Sequence, residues 1–156
     1  MDPELKTLIL HTPIRYRRRT TSAVSGFPFA ENDKPADGEE RLAVYSEDSI
    51  VRMDPAEGPR VSDRLPPPEV LAEGVRGGET PPPPETVLSL ERGVHGFLQG
   101  RASTEKELLS LLEEFARQAW WEGMDCRGPF IVRRVFEDGR WATQVWRRAS
   151  KDSEER

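Results

Sequence analysis

The chain is poor in the residues that build disulfides and metal centres: its 156 residues include one cysteine and two histidines. A lone Cys126 excludes an internal disulfide framework and a multi-cysteine cluster, and it favours a reducing, intracellular setting, cytoplasmic or with nuclear entry in a eukaryotic host. Two histidines with one cysteine are too few for a zinc site. There is no phosphate-cradling glycine loop and no His-x-x-x-His pair, so no cofactor or metal is expected. The only asparagine, Asn32, precedes Asp33 and Lys34, which removes the glycosylation pattern. Near the start the apolar run is Leu8-Ile9-Leu10, far short of a signal-peptide core or of the roughly 20 apolar residues that span a bilayer, so no membrane partner is expected.

These scarcities also bear on catalysis. Cys126 would have to be the nucleophile, with His95 or His11 as base, and the neighbouring Asp125 would raise the thiol pKa rather than lower it. The chain therefore reads as non-enzymatic.

Hydrophobic residues make up 35% and charged residues 33%, so the core is expected to be small. If about half the chain orders, the folded piece holds roughly 70 to 80 residues, a size at which one apolar core supplies only a few kcal/mol. The net charge of -5 hides a segregation. Residues 31–91 carry 15 acids against 6 bases, whereas residues 127–148 carry 6 arginines against 2 acids. Attraction between the two would be screened over about 8 Å at physiological salt.

Composition divides the chain into four stretches. Residues 1–19 form a basic N-terminal arm or short strand, with Thr12-Pro13 biasing the backbone away from helix. Residues 20–85 read as a largely disordered, acidic, proline-rich linker, in which Pro66-Pro67-Pro68 and Pro81-Pro82-Pro83-Pro84 favour polyproline II. A hairpin over 41–53 is plausible there, because Leu42, Val44, Ile50 and Val51 flank the turn former Ser46-Glu47-Asp48-Ser49. Residues 86–148 form the expected compact module, and 149–156 a frayed, charged tail.

Inside the module, Val87, Leu88, Leu90, Val94, Phe97 and Leu98 recur at helical spacing, although Gly93 and Gly96 argue against a helix. Thr104 followed by Glu107 is a capping box, whose hydroxyl and carboxylate satisfy backbone donors left open at a helix start. Leu108, Leu111, Leu112, Phe115 and Ala119 then line one helical face, and Gly123 suits the stop. Asp138-Gly139 fits a two-residue type I′ turn and sets a register in which Phe136 faces Trp141, Arg134 faces Thr143, Arg133 faces Gln144, Val132 faces Val145 and Ile131 faces Trp146. The expected fold is α+β: one long amphipathic helix packed on an antiparallel hairpin, open to extension by N-terminal strands, with a long disordered Pro/Gly/acid-rich segment. In that arrangement Phe130, Val132, Phe136, Trp141 and Val145 lie under the helix, and the opposite side of the ribbon stays open.

The functional expectation follows from that open side. Trp121, Arg133, Arg140, Trp146 and Arg148 would form a partner-binding surface, with tryptophan supplying buried area and arginine orienting carboxylates or phosphates. The chain thus reads as an intracellular interaction or regulatory protein that takes a protein partner, of a kind that would suit a viral or phage accessory factor. The alternative is a nucleic-acid-binding regulator using Arg15, Arg17, Arg18 and Arg19 with Arg133, Arg134 and Arg147 on phosphates. Leu108-Leu109-Ser110-Leu111-Leu112 matches a helical docking pattern but reads first as core. Trp120 and Trp121, adjacent on a helix, cannot both enter a small core.

Overall fold

The computed structural model describes residues 4–11, 14–18, 38–46, 51–54, 56, 58–61, 64–66, 68–75 and 87–149. The capping box works as its chemistry requires: Thr104 Oγ1 accepts from the Glu107 amide at 3.2 Å, and the Glu107 carboxylate accepts from the Ser103 amide. It opens helix α1, Glu105–Trp121, which ends at Glu122 with Gly123 in a left-handed conformation. The Asp138-Gly139 turn has positive φ at both residues, 55° and 77°, and joins strands β9 (Cys126–Glu137) and β10 (Arg140–Ala149) in the register the turn dictates.

The rest departs from a helix on a hairpin. The protein is mostly antiparallel sheet with one described helix, and the expected helix-on-hairpin module is corrected accordingly; of the segment expected to be disordered, residues 20–37 and 76–85 lie outside the described residues. Before α1 the described strands are β1 (Lys6–Leu10), β2 (Ile14–Arg18), β3 (Glu39–Tyr45), β4 (Val51–Asp54), β5 (Gly58–Val61), β6 (Val70–Val75), β7 (Val87–Leu90) and β8 (Gly93–Gly100). Strands β3 to β6 thus come from the stretch read as linker. The expected 41–53 hairpin does not form: β3 pairs with β9 and β6, while β4 pairs with β5. The helical spacing over 87–98 also misleads, since both faces of β8 are covered and double-sided burial mimics a helical period.

The large sheet runs β1-β8-β10-β9-β3-β6-β2-β7, and its two ends meet. Leu10 lies opposite Gly93 and Ile14 opposite Leu90, so β1 and β2 run as one broken strand along β8 and β7, with an extra residue on the β1–β2 side. β2 also pairs with β6, through Arg17–Glu73 and Arg18–Ala72. Taking β1–β2 and β7–β8 as single members, six strands close into a ring.

The ring separates two apolar clusters. Outside it, the α1 side chains Leu108, Leu112 and Phe115 pack on Phe130, Val132, Val145, Leu98, Ala43 and Tyr45, all fully or almost fully buried. Each large apolar side chain there contributes about 1.5–3 kcal/mol on leaving water, which is why α1 holds in place. Inside lie Tyr16, Leu42, Ala72 and Trp146, with Leu8, Leu10, Ile14, Phe97 and Ile131 against them. The supposed open side of the β9–β10 ribbon is therefore the interior of the ring. Phe136 and Trp141, expected under the helix, instead pack edge-on with each other at 5.2 Å near the hairpin end, outside that cluster.

Candidate functional site

The ring interior is polar at its centre. Arg133 on β9 closes on Glu40 Oε1 of β3 through Nε and Nη2, and the same oxygen accepts from Tyr16 Oη at 2.9 Å. Arg133 Nη1 donates to Gln144 Oε1 at 3.0 Å, an atom that also accepts from Trp146 Nε1 at 3.0 Å. Gln144 Nε2 reaches Gln99 Oε1 at 3.1 Å. Burial pushes the Tyr16 phenol well above the usual tyrosine range. His95 sits edge-on to Trp146 at 5.7 Å with Nδ1 3.1 Å from the Gly93 carbonyl, and its burial lowers its pKa. The buried members Tyr16, Glu40, Arg133 and Trp146 are each satisfied by a side chain of the same interior, and Gln144 links them to the exposed Gln99, which makes the network a packing device that orients strands.

This fixes where the expected site residues lie. Arg133 and Trp146 are sealed inside, so the surface combining them with Trp121, Arg140 and Arg148 is not assembled. Arg134 is buried on the outer face, donating to Thr143 Oγ1 and stacking 5.1 Å from the Trp141 ring. Arg147 is buried with its guanidinium 4.5 Å from the Phe130 ring and Nε donating to the Gly128 carbonyl. The phosphate-contacting trio Arg133, Arg134 and Arg147 is thus buried, Arg133 in the ring interior and the other two on the outer side of the ribbon, which packs against α1. Arg140 and Arg148 are exposed. Arg15, Arg17 and Arg18 lie on β2, and Arg19 falls outside the described residues.

Cys126 and His95 do not meet as a catalytic pair. The thiol lies on the α1 side near Met124 and Phe115, over Gly96, whereas His95, one residue along β8, faces into the ring. Burial pushes the Cys126 thiol up to about 11, with Asp125 adding to the rise and Arg147 opposing it. Among the described residues no group of three His, Cys, Asp or Glu side chains could hold a metal, and no helix is long and apolar enough to cross a membrane.

One expected residue remains at a concave surface. Trp121, 76% exposed, stands beside Trp120, 45% exposed, with ring centroids 5.1 Å apart and planes at 71°. They flank a groove of about 630 Å³ between α1 and the β4–β5 ribbon, lined also by Pro59, Arg60, Glu113 and Arg117. The groove depends on Gly58, whose φ of +88° suits glycine and whose Cα faces the Trp120 ring so closely that a Cβ would sit 2.9 Å from its carbons. Arg117 and Glu113 form an i,i+4 pair at 3.7 Å, half exposed and beyond hydrogen-bond length. Arg60 and Pro59 fall in the 20–85 stretch read as linker, and Arg117 lies on the predicted helix at an exposed position off its apolar face. The only signal was the short alternation around Gly58-Pro59.

Neither a family model nor a curated protein matches the chain.

Proposed function

We propose that the protein is a non-enzymatic, intracellular interaction module that captures a protein partner in the groove between α1 and the β4–β5 ribbon. The observation that carries this reading is the exposed Trp120–Trp121 pair at the rim of a groove of ligand-binding size. A tryptophan left three-quarters exposed beside a concavity gains area only when something covers it, and tryptophan with arginine is the composition of interface hot spots. Trp121 keeps its expected role as anchor. Arg60 and Arg117 take over the orienting role first given to the hairpin arginines.

Panning a displayed peptide library on the intact protein, with counter-selection on Trp121→Ala, tests the reading. Peptides should emerge that bind the wild type and lose at least about tenfold in affinity with the variant. Ligands indifferent to Trp121 would overturn it. So would steeply salt-dependent RNA or DNA binding that survives Trp121→Ala and falls with Arg15→Ala and Arg17→Ala, the result that the nucleic-acid alternative predicts.

A further inference from the structure

We infer that the protein pairs with a second copy of itself along the open edge of β1, the two strands running antiparallel about a two-fold axis at Leu8. β2, the other half of the broken strand, takes β7 on one side and β6 on the other. β1 instead ends the strand order and, among the described residues, pairs with β8 alone. Such an edge is a row of amides and carbonyls ready to join another chain. The devices that blunt natural edges are missing from its middle: Thr7-Leu8-Ile9-Leu10 holds no charge, proline or glycine, and Ile9 is 53% exposed.

Two hydrogen bonds show which backbone groups of β1 face outward. The Leu5 amide donates to Gln118 Oε1 at 2.7 Å rather than to β8. The Gly96 amide, on the residue opposite Thr7, goes to the Cys126 thiol rather than to the Thr7 carbonyl. Backbone groups alternate sides along an antiparallel strand, so Lys6, Leu8 and Leu10 bond to β8, whereas Thr7 and Ile9 direct both N–H and C=O to the open edge. Gln118 closes one end of this row, and at the other the chain bends at His11.

That row fits itself. Facing residues of an antiparallel pair have the same orientation, so self-pairing is centred on a residue and not between two. Centred on Leu8, it sets Thr7 of each copy against Ile9 of the other, each pair exchanging both of its N–H···O bonds, and every outward group of the strand is used. Lys6 then meets Leu10, so no charges of one sign are opposed. The exposed Ile9 side chains lie diagonally across the junction, each beside the other copy's Thr7. Centred on Ile9 instead, Thr7 would face the bend at His11. A contact five residues long lies well below the roughly 1,200 Å² of stable complexes, so the dimer forms only at high concentration.

Sedimentation equilibrium and amide NMR on the full-length protein, from about 10 μM to about 1 mM, test the pairing. The mass should rise toward that of a dimer. Over the same range the Thr7 and Ile9 amides should shift and gain protection from hydrogen exchange, while the Leu8 amide, already bonded to β8, stays protected throughout. Ile9→Pro removes an outward amide and no bond to β8, at a kind of position where edge strands tolerate proline, and should raise the concentration needed for dimerisation at least about tenfold. Ile9→Lys, which keeps the backbone intact, should act in the same direction. If Ile9→Pro does not fold, Ile9→Lys and the wild-type amide pattern decide. A monomer at about 1 mM overturns the inference, as does a mass that grows beyond two copies. Thr7 and Ile9 amides already protected in the most dilute sample assign the edge to this chain's own residues and overturn it too. Association that survives Ile9→Pro and is lost with Trp121→Ala places the contact in the groove, with the same consequence.

Discussion

At the scale of single residues, the Arg133–Glu40 contact holds a pair of opposite charges in the ring interior. Both side chains are about nine-tenths or more buried, so removing either partner leaves a charge in a low-dielectric interior. Glu40→Ala or Arg133→Ala should each cost about 3–5 kcal/mol in urea unfolding, whereas Glu40→Leu with Arg133→Met should cost much less than the sum of the two single losses. Near-additive losses in that cycle would show that the two groups do not act as a pair. His95 supplies a pH test. Its folded pKa lies below its ordinary value of 6.5, so between those values the unfolded chain binds more protons and stability falls as pH drops through 6.5. Wild type should lose more stability than His95→Gln between pH 7.5 and 5.5; equal losses would mean that His95 titrates normally. Neither role was legible in the sequence. Arg133 sits beside Arg134 between the apolar runs Phe130-Ile131-Val132 and Val135-Phe136, a mixture that describes a solvated strand equally well, and its carboxylate partner is 93 residues away.

At the scale of elements, what could be read was what local chemistry dictates. Thr104 with Glu107 and Asp138 with Gly139 act across three residues or fewer, so α1 and the β9–β10 register follow from short windows of sequence. Strands β3 and β6 are held by partners far along the chain, and the prolines and acids around them suggest linker until those partners are known. The β4–β5 ribbon is a two-stranded piece and marginal by itself, so its docking on α1 determines whether the groove exists. Gly58→Ala should dislodge the Trp120 ring, since the new methyl meets ring carbons at 2.9 Å and the backbone is already at positive φ. The expected result is a loss of about 1–3 kcal/mol with altered near-ultraviolet dichroism from the coupled indoles. An unchanged spectrum would place the ring elsewhere.

At the scale of the whole molecule, the ring makes the N-terminal strands part of the fold rather than an arm attached to it. A fragment spanning 86–148 lacks β1, β2, β3 and β6, exposing the interior faces of β8, β9 and β10 with Trp146, Phe97 and Ile131. Its amide NMR spectrum should collapse to narrow dispersion or broaden through association, while the full chain gives dispersed peaks; matching dispersed spectra would refute the closed ring. Burial of the hairpin arginines belongs to this scale too, because the ribbon has an open side only when viewed without its neighbours.

Ring closure also constrains how the protein is made. β3 meets β9 across some ninety positions, and the Leu5 amide is held by Gln118 across 113. During vectorial synthesis β2, β3 and β6 can pair with one another, yet the second edge of β3 and the closure of the ring wait until the last ribbon has emerged. The nascent chain therefore carries an open sheet with unpaired edges through most of translation, so holdase chaperones should raise its yield and its refolding in vitro should be slow.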